Sequence, residues 1–220
     1  MNGIRFELAG ADLWALPSGA LWWPERHLLC VSDLHLGKSE RIARRGGGLL
    51  PPYDSRDTLQ RLDAEISRHD PAAVVCLGDS FDDLNAADAF EEDLRLWLAR
   101  LMAGRDWIWI AGNHDPGPLD LGGRNLAELA HAPLRFRHEA ARTAAPGEVS
   151  GHYHPKASVR AGGRRVRRPC FLTDGHRLIL PAFGTFTGGM DAAAPELRAL
   201  LLPGACAIMT GPTPVSLPLT

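Results

Sequence analysis

Four times in this chain an apolar run ends abruptly in residues able to hold a metal ion, and a fold has to bring those four endings together for the pattern to have any use. Val31-Ser32 leads into Asp33-Leu34-His35, and Val74 to Leu77 into Gly78-Asp79. Trp107 to Ile110 leads into Gly112-Asn113-His114-Asp115, and Val149-Ser150 into Gly151-His152-Tyr153-His154. In an extended strand, residues two apart point the same way, so Asp33 and His35 converge on one point, as do His152 and His154. A single Asp-x-His is common by chance and is more often a solvated strand end. Four such endings in order are not explained that way.

The segments between them look like scaffolding. From Leu28 to Ala111, strand and helix alternate, which argues for parallel pairing with helices covering the sheet. The endings then fall at the carboxyl ends of the strands, where open α/β sheets place their sites. Asp54 or Ser55 is positioned to cap a helix whose apolar stripe is Leu59, Leu62 and Ile66, ended by Pro71. A second helix is predicted from about Ala86 to Met102, with Phe90, Leu94, Trp97, Leu98 and Leu101 buried. A shorter one over Ser39 to Arg45 would stop at Gly46-Gly47-Gly48. Before this region, Ile4 to Leu8, Leu13 to Leu16 and Ala20 to Trp23 read as antiparallel strands. After it, a short helix is predicted over Leu126 to Ala130, then a largely antiparallel second sheet including Cys170 to Thr173, Leu178 to Ala182 and Ala205 to Met209.

Composition narrows the class. No low-complexity linker divides the 220 residues, so residues 1–220 read as one domain, long enough to bury roughly 70% of the unfolded surface. The four cysteines, Cys30, Cys76, Cys170 and Cys206, lie far apart without a Cys-x-x-Cys, as reduced thiols would in a cytoplasmic protein. The first seven residues lack a signal-peptide core. Ala199 to Thr220 is uncharged and as long as a membrane helix, but four prolines and two glycines make it a set of short strands and turns. A net charge of −2 excludes a globally basic nucleic-acid binder and leaves room for a local basic face.

The endings supply carboxylate, imidazole and amide donors for more than one cation. Two divalent ions about 3.5 to 4 Å apart can hold the attacking and leaving oxygens of an in-line displacement at phosphorus, with a bridging hydroxide available near neutral pH. Asp79, at the end of a central strand, is the candidate bridging carboxylate. The leaving alkoxide needs a proton, for which His114 is the candidate donor, with Asp115 beside it to orient the ring. The glycines before each ending permit close backbone approach to a substrate.

The series Asp33-x-His35, Gly78-Asp79-x-x-Asp82, Gly112-Asn113-His114-Asp115 and Gly151-His152-x-His154 resembles the binuclear-metal calcineurin-like phosphoesterases. The fold this implies is α/β: a two-sheet β-sandwich of mixed sheets flanked by helices. Leu36-Gly37-Lys38, Gly48-Leu49-Leu50-Pro51, Thr58-Leu59 and the run Leu180 to Gly189 narrow the likeness to bacterial PdeM-type, ligase-associated DNA damage response endonucleases. The resemblance implies that Asp33, His35, Asp79 and His154 hold one ion, that Asp79, Asn113, His138 and His152 hold the other, and that His114 is the acid. It implies manganese, with iron or zinc compatible with the donors, DNA as substrate, and DNA-repair partners such as a DNA ligase. His138 also follows from the pattern, because Leu134, Phe136 and His138 alternate with Arg135 and Arg137 and so extend one strand face; His131 sits where the chain turns before Pro133.

Two enzymatic or structural rivals remain at this level. Hydrolases of small phosphoesters or nucleotide-type pyrophosphates share most of this metal set, but usually carry Arg in place of His114 and an acyl-binding insertion that this chain lacks. Non-catalytic scaffolds of the same fold tend to lose the His114 equivalent. Two basic clusters, Lys38, Arg41, Arg44 and Arg45 and then Lys156, Arg160, Arg164, Arg165, Arg167 and Arg168, follow motif loops. Each is either a solvated face or a steering surface for phosphates. His27, His69, His131 and His176 read as surface or strand-end histidines, and Asp82 with Asp83 as a helix-capping pair.

Overall fold

A computed structural model describes residues 2–44, 53–83, 90–143 and 145–219. Strands β1 (Ile4–Leu8), β2 (Ala11–Ala15), β3 (Leu21–Trp23) and β4 (Leu28–Val31) run as an antiparallel meander. From β4 the same sheet continues in parallel through β5 (Ala73–Cys76), β6 (Asp106–Ile110) and β7 (Arg124–Leu126), in spatial order β1 to β7. Helices α1 (Lys38–Arg44), α2 (Asp54–His69) and α3 (Glu92–Met102) occupy the connections. The second sheet has the order β15-β14-β12-β13-β10-β9-β8. Its strands are β8 (Glu128–His131), β9 (Leu134–Arg137), β10 (Glu148–Ser150), β12 (Arg164–Thr173), β13 (Arg177–Ile179), β14 (Cys206–Met209) and β15 (Val215–Pro218). Strand β11 (Lys156–Ala161) pairs with β12 alone, and a short helix α4 (Pro195–Arg198) lies outside.

Strict side-chain alternation sorts the apolar residues into three layers. Cys30, Val75, Ile108 and Ile110 face the second sheet, where they meet Phe136, Val149, Phe171 and Leu178. Leu29, Val31, Val74, Cys76, Trp107 and Trp109 face the other way, onto Leu59, Leu62 and Ile66 of α2 and Leu94, Leu98 and Leu101 of α3. On the far side of the second sheet, Cys170, Leu172, Ile179 and Met209 pack with Leu197 of α4. A sheet covered on both faces is why β4, β5 and β6 read as continuous apolar runs. The result is a helix, sheet, sheet, helix stack.

Several expectations need correction. Leu126 to Ala130 is not a helix: Arg124–Leu126 extends the parallel sheet beside β6, and Glu128–His131 pairs antiparallel with β9. Five residues with no amphipathic face gain too little to nucleate a helix, whereas two strand edges offer them hydrogen bonds. The helix ending at Met102 begins at Glu92; Phe90 is buried but precedes it, and residues 84–89 lie outside the described residues, as do Gly46 to Gly48, Arg45 and Gly48-Leu49-Leu50-Pro51. The strand expected over Cys170 to Thr173 starts six residues earlier, inside the basic run. The second sheet is largely antiparallel as expected, and β10, parallel to both β9 and β13, makes it mixed as the resemblance implied. Asp54 and Ser55 do not cap α2. Asp54 accepts from the Ser39 N–H and hydroxyl, and Ser55 Oγ from the Gly37 N–H, so both tie the loop after Asp33-x-His35 to the helix.

Trp107 and Trp109 on one face and Ile108 and Ile110 on the other are as the alternation requires. All four cysteines are free, three of them buried. Among the described residues no helix is long and apolar enough to cross a membrane.

Phe136 is fully buried between the sheets, two residues before His138. Phe136→Ala is expected to cost about 3–5 kcal/mol through lost burial and the cavity left behind, a fall in Tm of roughly 6–20 °C for a chain of this size. Thermal unfolding of the purified variant checks it; a change under about 2 °C would mean that the sheets repack without that ring.

Candidate metal centre

The ends of β4, β5 and β6 lie side by side because their ladder continues past the strands. Asp33 N–H donates to Gly78 O at 3.2 Å, His35 N–H to Asp79 O at 2.9 Å, and Leu36 N–H to Ser80 O at 2.9 Å. Opposite them, Gly151 N–H donates to His138 O at 2.8 Å, which joins the endings of β9 and β10. All seven residues expected to bind metal therefore gather at one edge of the sandwich.

Their functional atoms form two adjoining groups. Donor atoms of Asp33, His35 and His154 lie within 4.8 Å of one another, and so do those of Asp79, His138 and His152. Asn113 Oδ1 stands 3.0 Å from His138 Nε2, which is also 3.1 Å from His152 Nδ1 and 3.4 Å from Asp79 Oδ2. His35 Nε2 and His154 Nε2 face each other at 3.4 Å, and Asp33 Oδ1 lies 3.2 Å from His154 Nε2. His131, the alternative to His138, lies in β8 with its ring edge-on to Trp23, 5.5 Å between centroids.

Neighbouring groups fix which nitrogens carry lone pairs. His138 Nδ1 donates to Leu77 O at 2.8 Å, so its Nε2 presents a lone pair to the group. His35 Nδ1 donates to Asp82 Oδ1 at 2.8 Å, and its Nε2 does the same. Asp33 Oδ2 accepts from Ser32 Oγ and from the His152 N–H, whereas Asp33 Oδ1, fully buried, has no hydrogen-bond partner. Lone pairs pointed at lone pairs, and an orphaned carboxylate oxygen among them, are repulsive unless a cation stands between them. The nitrogen-and-oxygen donor set fits divalent ions of intermediate hardness.

Charge tells the same story. Burial opposes ionisation of Asp79, but the His138 ring and the His114 N–H hold it down to about 2. For Asp33 burial likewise pushes up, and His154 and His138 outweigh it to leave the group below the usual range. Without a cation a proton takes its place: burial pushes the His138 ring down, yet Asp79 and the charge of Asp33 raise it to about 9, and a bound ion would displace that proton from Nε2. The pocket calls for positive charge.

Backbone conformation is unusual at these residues. Asp33, His35, Asp79, His152 and His154 all have φ between 46° and 70°, five of the nine non-glycine residues with positive φ among those described. Each costs of order 1 kcal/mol and persists only where the surroundings impose it. The glycine before Asp79 has φ of 75° and a Cβ there would sit 2.5 Å from His138 Nδ1; at Gly112 a Cβ would sit 2.2 Å from Asp79 Oδ1. At both glycines the close approach is to donor side chains.

Two further residues take roles other than those read from sequence. Asp115 does not orient His114. Its Oδ1 accepts from the N–H groups of Asp79 (2.9 Å) and Gly112 (3.1 Å), and its Oδ2 from those of Ser80 (2.8 Å) and Phe81 (3.1 Å). A carboxylate saturated by four backbone donors has nothing left for an imidazole, and among the described residues no ion pair joins it to His114. His114 is held by its Nδ1 to Asp82 O at 2.9 Å, edge-on to His35 with centroids 5.2 Å apart. Asp82 has a role not read from the sequence: buried to 1% exposure, it grips His35 through Oδ1 and Arg41 through Oδ2, while the segment it was expected to cap, 84–89, lies outside the described residues. Its place in Gly78-Asp79-x-x-Asp82 was the signal for that role.

The model of the calcineurin-like phosphoesterase family matches residues 26–175, which span β4 to β13's threshold and every donor above. The chain belongs to the calcineurin-like phosphoesterase family. Among solved structures it is similar to the Pseudomonas putida nuclease MPE, seen in a crystal structure, at 30% identity over 97% of this chain and 100% of that one, with a TM-score of 0.77. No curated protein sequence matches it significantly. This calcineurin-like phosphoesterase is thus an enzyme that hydrolyses phosphoesters, and the mixed two-sheet stack is the metallophosphoesterase fold.

Because divalent cations would bind the folded site and not the dispersed donors of the unfolded chain, loading should stabilise the enzyme. One site at 100 times its Kd contributes about 2.7 kcal/mol, or roughly 5–10 °C in Tm. Asp82→Ala, which frees the His35 ring, is expected to weaken binding at the His35 group by about 10- to 100-fold. Thermal unfolding of the chelator-stripped enzyme with and without Mn2+ checks the first and isothermal titration of both proteins the second; unaltered affinity in the variant would remove Asp82 from any supporting role.

Proposed function

We propose that this enzyme is a metal-dependent phosphodiesterase that acts on nucleic acid, with DNA in a repair setting as the substrate. In this reading Asp33, His35, Asp79 and His154 hold one divalent ion and Asp79, Asn113, His138 and His152 the other, Mn2+ in both places. When bound, such a pair supplies a water-derived nucleophile near neutral pH and neutralises charge on the phosphoryl oxygens.

The chain's own residues do the rest. His114 carries the reading. It stands beside the His35 group with Nδ1 donating to Asp82 O, and among the described residues its Nε2 has no protein partner, so as the imidazolium it carries on Nε2 a proton to give to a departing alkoxide and is left as the neutral ring. A diester has two such poor leaving groups and gains most from an acid at this place. Asp82 positions both rings, His35 through its carboxylate and His114 through its carbonyl. The 30% identity to a nuclease over the whole chain supports nucleic acid over a small phosphoester or a nucleotide-type pyrophosphate. The same reading takes residues 1–220 as one metallophosphoesterase domain, supported by the core that the two sheets share, and free thiols support a reducing, cytoplasmic setting alongside repair proteins such as a DNA ligase.

The test is hydrolysis measured side by side on a chromogenic phosphodiester, a phosphomonoester, and single-stranded, nicked and duplex DNA, with and without Mn2+. The diester is expected to be preferred and chelation to abolish turnover; activity that survives thorough chelation would overturn the reading. His114→Ala is expected to lower kcat by about 10²- to 10⁴-fold with two ions retained, and His138→Ala to retain one. Elemental analysis of both variants separates acid from ligand, and an ion lost from the His114 variant would move that residue into the metal set.

A further inference from the structure

The second basic run, taken as a cluster in the sequence, is split by the structure into two faces. Strands β11 and β12 form an antiparallel ribbon in the register Lys156↔Pro169, Ser158↔Arg167 and Arg160↔Arg165. Directly opposed residues share a face, so Lys156, Arg160, Arg165 and Arg167 lie together on one side. The other side carries Ala157 and Val159, which pack with the third core layer, together with Val166 and Arg168, whose Nη1 donates to Thr210 O at 3.4 Å. Arg168 and Arg164 therefore lie on the side away from the outward row.

The charged residues of the outward face, which also carries Ser158 and Pro169, are all cations. Arg160 and Arg165 sit directly across from each other, an arrangement that destabilises a ribbon unless an anion lies over it. Among the described residues none of Lys156, Arg160, Arg165 and Arg167 makes an ion pair. Asp191, whose backbone bridges to Lys156, turns its carboxylate to the Ala193 N–H. From the cluster after the first motif, Arg41 does not join this face, being tied to Asp82.

This row starts two residues after His154 and runs into the loop that borders the metal centre. Lys156 Nζ donates to Thr187 O at 3.0 Å and Arg167 Nη2 to Gly189 O at 3.2 Å. At its other end the loop is fixed to the first motif, Phe183 N–H to Ser32 O at 2.8 Å and Gly184 N–H to Asp33 O at 3.1 Å. Between these anchors Phe186 is held at φ 57° and is 40% exposed, and its ring meets that of Tyr53, 54% exposed, at 5.7 Å between centroids. They are the two exposed large aromatics among the described residues, and their rings touch each other.

We propose that the Tyr53–Phe186 pair and the outward face of the β11–β12 ribbon form a binding track for single-stranded nucleic acid, with bases stacked on the two rings and the backbone phosphates laid along Lys156, Arg167, Arg165 and Arg160. Each exposed ring offers a face on which only an unpaired base can stack, the two being tilted 57° to each other, and a row of cations beside them follows one strand's backbone. This rests on the phosphodiesterase reading of the adjoining centre: the track would present the strand to it.

The test is fluorescence anisotropy with a labelled phosphorothioate oligo-dT, which keeps charge and bases while resisting hydrolysis, against an oligo-rU and a blunt duplex of equal length, all on the metal-loaded enzyme. The parent is expected to bind oligo-dT more tightly than duplex. Phe186→Asn, suited to the left-handed backbone, is expected to weaken oligo-dT binding about 5- to 100-fold, and Phe186→Trp to restore it. Arg160→Ala with Arg165→Ala should reduce the slope of log K against log salt by about 1.4, the value for two phosphate contacts on a single strand, while Arg164→Ala on the opposite face leaves it unchanged. Duplex bound as tightly as oligo-dT, with Phe186→Asn neutral, would overturn the track, as would equal slope changes from the two faces. Tighter oligo-rU than oligo-dT would keep the track and make RNA its occupant. Hydrolysis of the chromogenic diester is followed in parallel: a parent that binds oligo-dT but hydrolyses no diester would sink the reading of the centre and leave the track, whereas one that hydrolyses diester without binding would do the reverse.

Discussion

One carboxylate holds the catalytic edge of the first sheet in place. Asp115 gathers backbone N–H groups from Asp79, Ser80 and Phe81 on the loop after β5 and from Gly112 on the loop after β6. Strands in a sheet are about 4.8 Å apart, but their loops diverge unless something binds them. Here the clamp fixes Asp79 and Asn113 relative to each other from below while their side chains face the metal centre. Burial pushes Asp115 up, the three N–H bonds from 79 to 81 pull it down, and the charge of Asp79 pushes it up again, to about 6. The opposition between Asp115 and Asp79 is a reason for positive charge on the far side of Asp79.

That demand for cations explains why the backbone tolerates what it does. Five candidate ligands in left-handed conformation amount to several kcal/mol of local strain, at about 1 kcal/mol each. The strain is held by the crossed loop hydrogen bonds, by Ser55 and Asp54 gripping the loop after His35, and by the hydrogen bonds that fix the His35 and His138 rings. A left-handed residue reverses the alternation of a strand, which is how the side chains of a strand ending are brought round to one point.

The sequence was most legible where periodicity and chemistry coincide. Ile108 and Ile110 against Trp107 and Trp109 could be assigned to opposite faces because alternation alone decides it. His138 could be chosen over His131 because Leu134 and Phe136 set the inward face. What stayed hidden depended on backbone groups distant in sequence. Nothing in Gly112-Asn113-His114-Asp115 reveals that the Asp115 oxygens are taken by N–H donors 34 to 36 residues away. Nor does Asp54 at a helix start disclose that Ser39 will claim it. The basic run was visible as charge, but only the register of β11 and β12 sorts Arg165 from Arg164.

The placement of the donors makes the centre a property of the sandwich and of neither sheet alone. Asp33, His35, Asp79 and Asn113 leave strands of the first sheet, whereas His138, His152 and His154 leave β9 and β10 of the second. Each of the two groups mixes both origins: His154 with Asp33 and His35, and His138 and His152 with Asp79. Cations bound there would bridge the sheets at one edge, while Ile108, Ile110, Phe136, Val149 and Phe171 hold them together through the middle. Any slippage between the sheets moves three imidazoles against four oxygen and nitrogen donors at once. Packing density in the shared core and affinity at its rim are therefore linked, because ions that bind only the assembled donor set add their binding free energy to the contact between the sheets.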